Sequence, residues 1–299
     1  MQLPALRPPG LYSAGLPGSE TRPFASAFPE VLFAACDLGV FDLLAQAPEP
    51  LTAAAVAAGL GTSCSGTGLL LDACVTLRLL AVETRAGQAV YANTALSSTY
   101  LVRASPTSQL DMLRYLGGTT YVCWAHLADA VRWAGAGGTR GHPRTANTRS
   151  EDERLRFMRG LQDVWRVHGR RLMATFDLSP FPLICDVGGD FFKDPLPEAD
   201  LYILARVLHD WADEACLRLL ARVHQACRPG GGVLVIESLL DADGRGPLRT
   251  QLYSLNMLVQ TEGRERTRVQ YCALLAAAGF RHVQGGAARS SYDAILARK

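Results

Sequence analysis

Between Cys185 and Pro195 the chain reads CDVGGDFFKDP, and this stretch limits what can be built around it. Its left half, behind the apolar PLICDV, reads as the end of a buried strand entering a glycine-rich cofactor loop. Its right half reads as a later loop of the same kind of domain, and the two halves share Gly189. A parallel crossover needs about a dozen residues and a βαβ unit about 30. Neither fits between them.

The surrounding pattern is that of a mainly parallel α/β sheet. PLICDV and ADLYILARVLHD read as strands, EACLRLLARVHQAC as a helix closed by Arg-Pro-Gly-Gly, and GVLVIESLL as a third strand. PLRTQLYSLNMLVQ and VQYCALLAAAGF read as helices, and SYDAILAR ends on a strand. Before them, EDERLRFMRGLQDVWRVHGRRLMATF has the period of a long amphipathic helix.

Residues from Pro29 onward have a different order. Helices are predicted near 30 to 45, at LTAAAVAAGLG with Thr52 as cap and Gly59 or Gly61 as stop, and near 65 to 80. A hairpin is predicted near 81 to 93 around Ala86-Gly87. Helix, helix, helix, hairpin is the order of a winged helix. DNA binding is disfavoured, because the third helix carries only Arg78 and Asp72 where base-reading residues are expected. Packing or dimerisation is the better reading. Residues 106 to 130 read as helical with a break at Gly117-Gly118. Val131 to Ser150 loses periodicity, with four arginines, four glycines and no acid, and reads as an irregular linker.

A chain of 299 residues allows one large domain or two ordinary ones, and 48% hydrophobic content is enough for a real core. A net charge of +2 is too near neutral to imply nucleic acid or an anionic membrane as partner. The eight cysteines are scattered without a Cys-x-x-Cys pair, so neither a zinc site nor a disulfide framework is suggested. They read as reduced residues of a cytoplasmic protein. The N-terminal stretch lacks the pattern of a signal peptide and reads as a floppy tail. No apolar run reaches the roughly 18 residues of a membrane span; VLFAACDLGVFDLLA is interrupted by Asp37 and Asp42.

In open α/β sheets ligands bind beyond the carboxyl ends of the strands. His209 stands there, and an imidazole of ordinary pKa about 6.5 suits a general base. Glu237 ends the next strand and can orient it, and Glu265 in TEGRERT is a second candidate. Each glutamate alone would read as a solvated loop carboxylate. Asn256 and Gln260, four apart on one helix, fit either a small polar ligand or a solvent face.

ARVLHDWAD, CRPGGGVLVIESLL, LYSLNMLVQTEGRERT and AGF…YDAILA together resemble the small-molecule O-methyltransferases that use S-adenosylmethionine. The nearest likeness is to the acetylserotonin (hydroxyindole) O-methyltransferases of melatonin biosynthesis. VLFAACDLGVFDLLA, LSSTYL and PTSQLDMLRYLG resemble that family's winged-helix-like dimerisation domain. The implied fold is α/β: a helical dimerisation domain followed by an incomplete Rossmann-like methyltransferase domain. The expected division is a tail over 1–28, the dimerisation domain over 29–130, a linker over 131–150, and the methyltransferase domain over 151–299, interrupted at 188–190.

The resemblance implies His209 as catalytic base, flanked by Glu237 and Glu265. It implies Asp210, Asn256 and Gln260 at the acceptor, and Trp165, Gly188, Gly189, Asp190, Phe191 and Arg206 at the cofactor. Thr148 stands near where the family places an aromatic cofactor contact. S-adenosylmethionine is the implied methyl donor, a hydroxyindole the acceptor, and a homodimer the assembly, with no metal, nucleic acid or membrane.

The family also implies elements that this chain lacks. Its first strand is followed by a glycine-rich turn, a helix, and a second strand ending in an acid for the ribose hydroxyls. A further helix and strand precede the GDFF loop. Here those elements are missing, as from an internal deletion such as a skipped exon or an incomplete gene model. Impaired transfer is therefore expected, and the alternative is an inactive splice-type variant acting as a dimerising or regulatory partner.

Overall fold

The computed structural model describes residues 27–133, 150–286 and 292–299. The expected tail up to residue 26, most of the expected linker, and Thr148 lie outside the described residues. The chain forms two compact units, 1–117 and 118–299.

The first unit begins with α1 (Ala27–Leu38) and α2 (Val40–Gln46), separated by Gly39. Strand β1 (Leu51–Thr52) leads into α3 (Ala53–Leu60), where the Thr52 hydroxyl accepts from the Ala55 amide at 3.2 Å. This bond satisfies one of the amides that a helix start leaves unpaired. Helix α4 (Cys64–Thr76) is followed by β2 (Leu80–Arg85) and β3 (Gln88–Asn93). Ala86 and Gly87, at φ 50° and 79°, make the tight turn between them, a geometry that right-twisted hairpins favour and that glycine adopts without steric cost. The three strands form an antiparallel sheet in the order β1-β3-β2. The core of this unit gathers Leu32, Ala35, Val40, Phe41, Val56, Leu71, Cys74 and Leu80. Helices α5 (Ala95–Tyr100) and α6 (Leu110–Tyr115) close the unit.

A π-helical turn at Leu116–Thr120 carries the chain into the second unit. The boundary at Gly117 falls earlier than the expected 130, because α7 (Tyr121–Trp124) and α8 (Leu127–Trp133) pack on a later helix. Helix α9 (Glu151–Met173) opens with a capping box between Ser150 and Glu153. Then come β4 (Ile184–Asp186), β5 (Ala199–Ala205), α10 (Asp213–Ala226) and β6 (Cys227–Glu237). Helices α11 (Leu248–Gln260) and α12 (Arg268–Ala277) and strands β7 (Arg281–Gly286) and β8 (Asp293–Arg298) end the chain.

The sheet order is β4-β5-β6-β8-β7, with β4, β5 and β6 parallel and β8 and β7 antiparallel. Alternation along the strands feeds two layers. Tyr202, Leu204, Val233 and Val235 pack with Leu219, Leu220, Val223 and Leu275 on the α10 and α12 face. Leu201, Ile203, Leu234 and Ile236 pack with Leu172 and Phe181 on the other face. A leucine buried in this way contributes about 1.5–3 kcal/mol. Five of the eight cysteines are buried, at 36, 74, 123, 216 and 227, and all eight are free thiols. Among the described residues no single helix is long and apolar enough to cross a membrane.

Among the described residues β4 is one of the two edges of this sheet, with β7 the other. Strand β4 pairs only with β5, and Leu183 and Ile184 are 44% and 40% exposed. An unpaired edge bearing apolar side chains templates association with other chains. Ile184→Lys should raise the concentration at which the protein remains unaggregated by light scattering. The melting transition should stay nearly unchanged, since exposed substitutions cost within about 0.5 kcal/mol. An unchanged onset of aggregation would place the sticky surface elsewhere.

Candidate active site

Strands β5 and β6 run parallel with Ala205 opposite Ile236, so the residues that follow each strand meet at one edge. After β5 the chain turns sharply. Arg206 takes φ 57°, and its amide donates to the Ile236 carbonyl at 2.8 Å. A non-glycine residue in this left-handed region costs about 1–3 kcal/mol unless its surroundings hold it there. One 3-10 turn, Leu208–Asp210, then presents His209, 6% exposed.

Glu237 and Glu265, 1% and 2% exposed, converge on this turn. His209 Nδ1 lies 3.1 Å from Glu265 Oε1, and His209 Nε2 lies 3.5 Å from Asp210 Oδ1. Glu237 Oε1 accepts the backbone amides of Leu208 and His209 at 2.9 and 3.3 Å. Arg206 Nη1 donates to Glu237 Oε2 at 2.9 Å and to Glu265 Oε2 at 3.1 Å. Arg206 Nη2 donates to Glu265 Oε1 at 2.6 Å and lies 3.0 Å from His209 Nδ1.

Nδ1 faces a carboxylate that can only accept and a guanidinium that can only donate. Because Arg206 Nη2 already bonds Glu265 Oε1 at 2.6 Å, hydrogen on Nδ1 completes the bond to Glu265 and leaves Nε2 as the basic atom. Burial and the Arg206 charge pull the His209 pKa down, but Asp210, Glu237 and Glu265 outweigh them and the pKa is raised. Glu265 is held at about 2 despite its burial, by the His209 hydrogen bond and the Arg206 guanidinium. For Glu237 the loss of hydration prevails, and its pKa rises. Ligand atoms of His209, Glu237 and Glu265 lie within 4.8 Å of one another, a spacing that would suit a metal ion. The Arg206 guanidinium already supplies the cation there.

A second layer grips the same turn. Arg266 is fully buried and donates to the carbonyls of Leu208 and Trp211 at 3.0 and 2.7 Å. It also pairs with Asp213 through two bonds of 2.8 and 2.6 Å. Gly263 lies so close that a Cβ there would meet the His209 carbonyl oxygen at 1.9 Å. Gly263→Ala should therefore displace the turn, costing about 1–3 kcal/mol by overpacking. Thermal unfolding checks it, and a wild-type melting temperature would mean that the loop moves freely.

Asn256 and Gln260 face one another on α11, where Gln260 Nε2 donates to Asn256 Oδ1 at 2.7 Å. Trp124 Nε1 donates to the same oxygen at 3.1 Å, which aims the Asn256 amide.

The glycine loop is anchored on its far side. Asp190 accepts at its carbonyl from the Lys193 and Asp194 amides at 2.9 and 2.7 Å, and its side chain pairs with Lys193. Arg222 of α10 donates to the Phe191 carbonyl at 2.6 Å. Phe191 and Phe192 stand edge-on to Trp211, centroids 6.1 and 4.8 Å away, so this loop leans on the turn that bears His209. Gly188 has open space where a Cβ would stand. Trp165, 40% exposed, folds back on Gly169 of its own helix, and Arg206 spends its guanidinium on the carboxylates.

Sequence reasoning passed over Arg266 and Asp213. A signal existed in TEGRERT, where two cations crowd one acid beside an apolar run. HDWAD offers a partner carboxylate, but nothing local says which arginine turns inward.

The sequence matches the family model described as an O-methyltransferase domain at residues 124–190 and 187–281, and the O-methyltransferase dimerisation domain at 23–103. The acetylserotonin O-methyltransferase of Bos taurus is 56% identical over 90% of this chain and 94% of that protein. The chain belongs to the acetylserotonin O-methyltransferase family. The Gallus gallus relative in this family is 46% identical over 90% of this chain and 93% of its own length. The crystal structure of human N-acetylserotonin methyltransferase in complex with SAM has a TM-score of 0.87 at 53% identity, covering 95% of this chain and 99% of that one.

The methyltransferase match falls into two pieces that meet at 187–190, where Gly188 and Gly189 stand. The bovine alignment runs over 323 positions against 90% of 299 residues, so about 54 positions of that relative have no counterpart here, room for a βαβ unit of about 30 residues or more.

Proposed function

We propose that the catalytic residues of this chain are those of an enzyme that methylates the 5-hydroxyl of an N-acetylserotonin-type hydroxyindole as a cytoplasmic homodimer, with S-adenosylmethionine as donor, and that transfer by the 299-residue chain itself is impaired by the segment it lacks. The observation that carries this reading is the buried His209 with Nδ1 3.1 Å from Glu265 Oε1, in a chain 56% identical to an acetylserotonin O-methyltransferase. The donor supplies an electrophilic methyl group on sulfonium sulfur. His209 Nε2 takes the proton of the hydroxyl, whose pKa should resemble the roughly 10 of a phenol. Glu265 stabilises the resulting imidazolium, and Glu237 holds the turn through the Leu208 and His209 amides. Asn256, Gln260 and Asp210 are the polar groups for the indole's substituents. Orientation of oxygen against methyl contributes several kcal/mol, about 7–11 at most.

For the donor, the residues present fit in part. Gly188, Gly189, Asp190 and Phe191 form the adenine-side loop, with Trp165 as a further contact. The ribose acid and the rest of the glycine turn belong to the segment that this chain lacks. Nothing in the comparisons favours the inactive, partner-type alternative.

The test is methyl transfer from labelled S-adenosylmethionine to N-acetylserotonin, after grafting the corresponding segment of the bovine relative at Gly188–Gly189. Label on the indole oxygen is expected. Label on nitrogen, or on other phenols in preference, would overturn the acceptor assignment.

A further inference from the structure

Three ionised groups surround the His209 ring, and their sum decides what the ring can do. With Glu237, Glu265 and Arg206 charged and the imidazole neutral, the cluster carries one net negative charge. When the imidazole takes a proton, the cluster becomes neutral. Without Arg206 the resting cluster would carry two negative charges in a buried site, which favours a proton on the imidazole.

We propose that Arg206 is a positioning residue for His209: it fixes Glu265 against Nδ1 and neutralises one of two buried carboxylates, so that Nε2 stays free to accept a proton. The inference rests on the reading of His209 as the base.

The geometry supports it at several points. The guanidinium contacts both oxygens of Glu265 and Oε2 of Glu237, a planar bridging that the point charge of a lysine does not reproduce. Its side chain is 15% exposed, and its carbon lies 5.4 and 5.3 Å from the ring centroids of Tyr253 and Tyr292. The left-handed backbone at φ 57° carries it into this place. Of the other groups facing His209, Asp210 also raises its pKa, and it does so alike in the parent and in each variant below. Asp210 stands at Nε2, at a side chain 36% exposed. Arg266 turns to Asp213 and to backbone carbonyls. Burial raises the pKa of the Tyr271 and Tyr292 phenols, which keeps both neutral. Consistently, Arg206 pulls the His209 pKa down where the carboxylates push it up.

The test is the imidazole titration itself, which needs no methyl donor. In the 15N-labelled 299-residue protein, long-range proton–nitrogen correlations follow each histidine across pH, with His209 assigned by its loss in His209→Gln. Glu237→Gln makes the cluster less negative by one charge and Arg206→Met more negative by one, while the double variant restores the sum. The His209 pKa should fall by about one unit or more in Glu237→Gln and rise by a similar amount in Arg206→Met. It should return to within about half a unit of wild type in the double variant. A packing role alone would move Arg206→Met and the double variant alike. If Arg206→Met fails to fold, adding it to Glu237→Gln must still raise the pKa by about one unit. Single variants that shift in the same direction would overturn the proposal, as would a double variant that unfolds while Glu237→Gln folds. A His209→Gln variant of the grafted protein that keeps the parent rate of methyl transfer would count against His209 as base and not against these shifts.

Discussion

Calorimetric titration of S-adenosylmethionine into the purified 299-residue protein should show binding no tighter than about millimolar. A hydrogen bond to a charged group is worth about 1.5–3 kcal/mol, and the ribose acid alone stands for two such contacts. Each 1.4 kcal/mol is about tenfold in affinity, so losing that one residue shifts a micromolar site by two orders of magnitude or more. The absent segment also holds the glycine-turn amides and one wall of apolar packing. Methyl transfer to N-acetylserotonin by the unaltered chain should accordingly stay below detection. Grafting the segment should recover micromolar binding. Ordinary micromolar affinity in the unaltered chain would show that the remaining loop holds the donor by itself.

In the grafted protein, His209→Gln should lower kcat/KM by about 10²–10⁴, the usual contribution of a positioned base. The pH profile gives a second reading. The transferred proton needs the neutral imidazole, so the rate rises with pH through the His209 pKa. Because the carboxylates raise that pKa, the limb should lie above the ordinary value of about 6.5. A labelled-methyl assay between pH 5.5 and 9 should show this limb in the parent and lose it in His209→Gln. A variant that retains the parent rate and limb would remove His209 from the chemistry.

Local rules carried much of the fold. The Ala-Gly pair located the hairpin, Thr52 capped α3 as expected, and of the two expected stops, Gly59 and Gly61, it is Gly61 that ends the helix. Strand β7, RHVQGG, went unread because most of its residues are exposed and two are glycines. His209 and Glu237 were legible because each ends an apolar strand, and neighbouring parallel strands bring such ends together. Arg266 was not, because burial of a cation depends on Asp213, 53 residues away in the chain. The direction of Arg206 was hidden for a similar reason. Its turn into the carboxylates follows from a backbone conformation that no residue type at that position announces.

The open β4 edge also bears on how long such a chain lasts in a cell. A ligand present at about a hundred times its dissociation constant stabilises the folded state by about 2.7 kcal/mol. Relatives that bind S-adenosylmethionine tightly receive that stabilisation whenever the donor is abundant, and a chain without the ribose wall forgoes it. Its unfolded fraction is then larger at the same intrinsic stability, and Leu183 and Ile184 are displayed even while it is folded. Chaperones and proteases act on both features. Supply of donor would then raise the abundance of relatives that bind it and leave that of this chain unchanged.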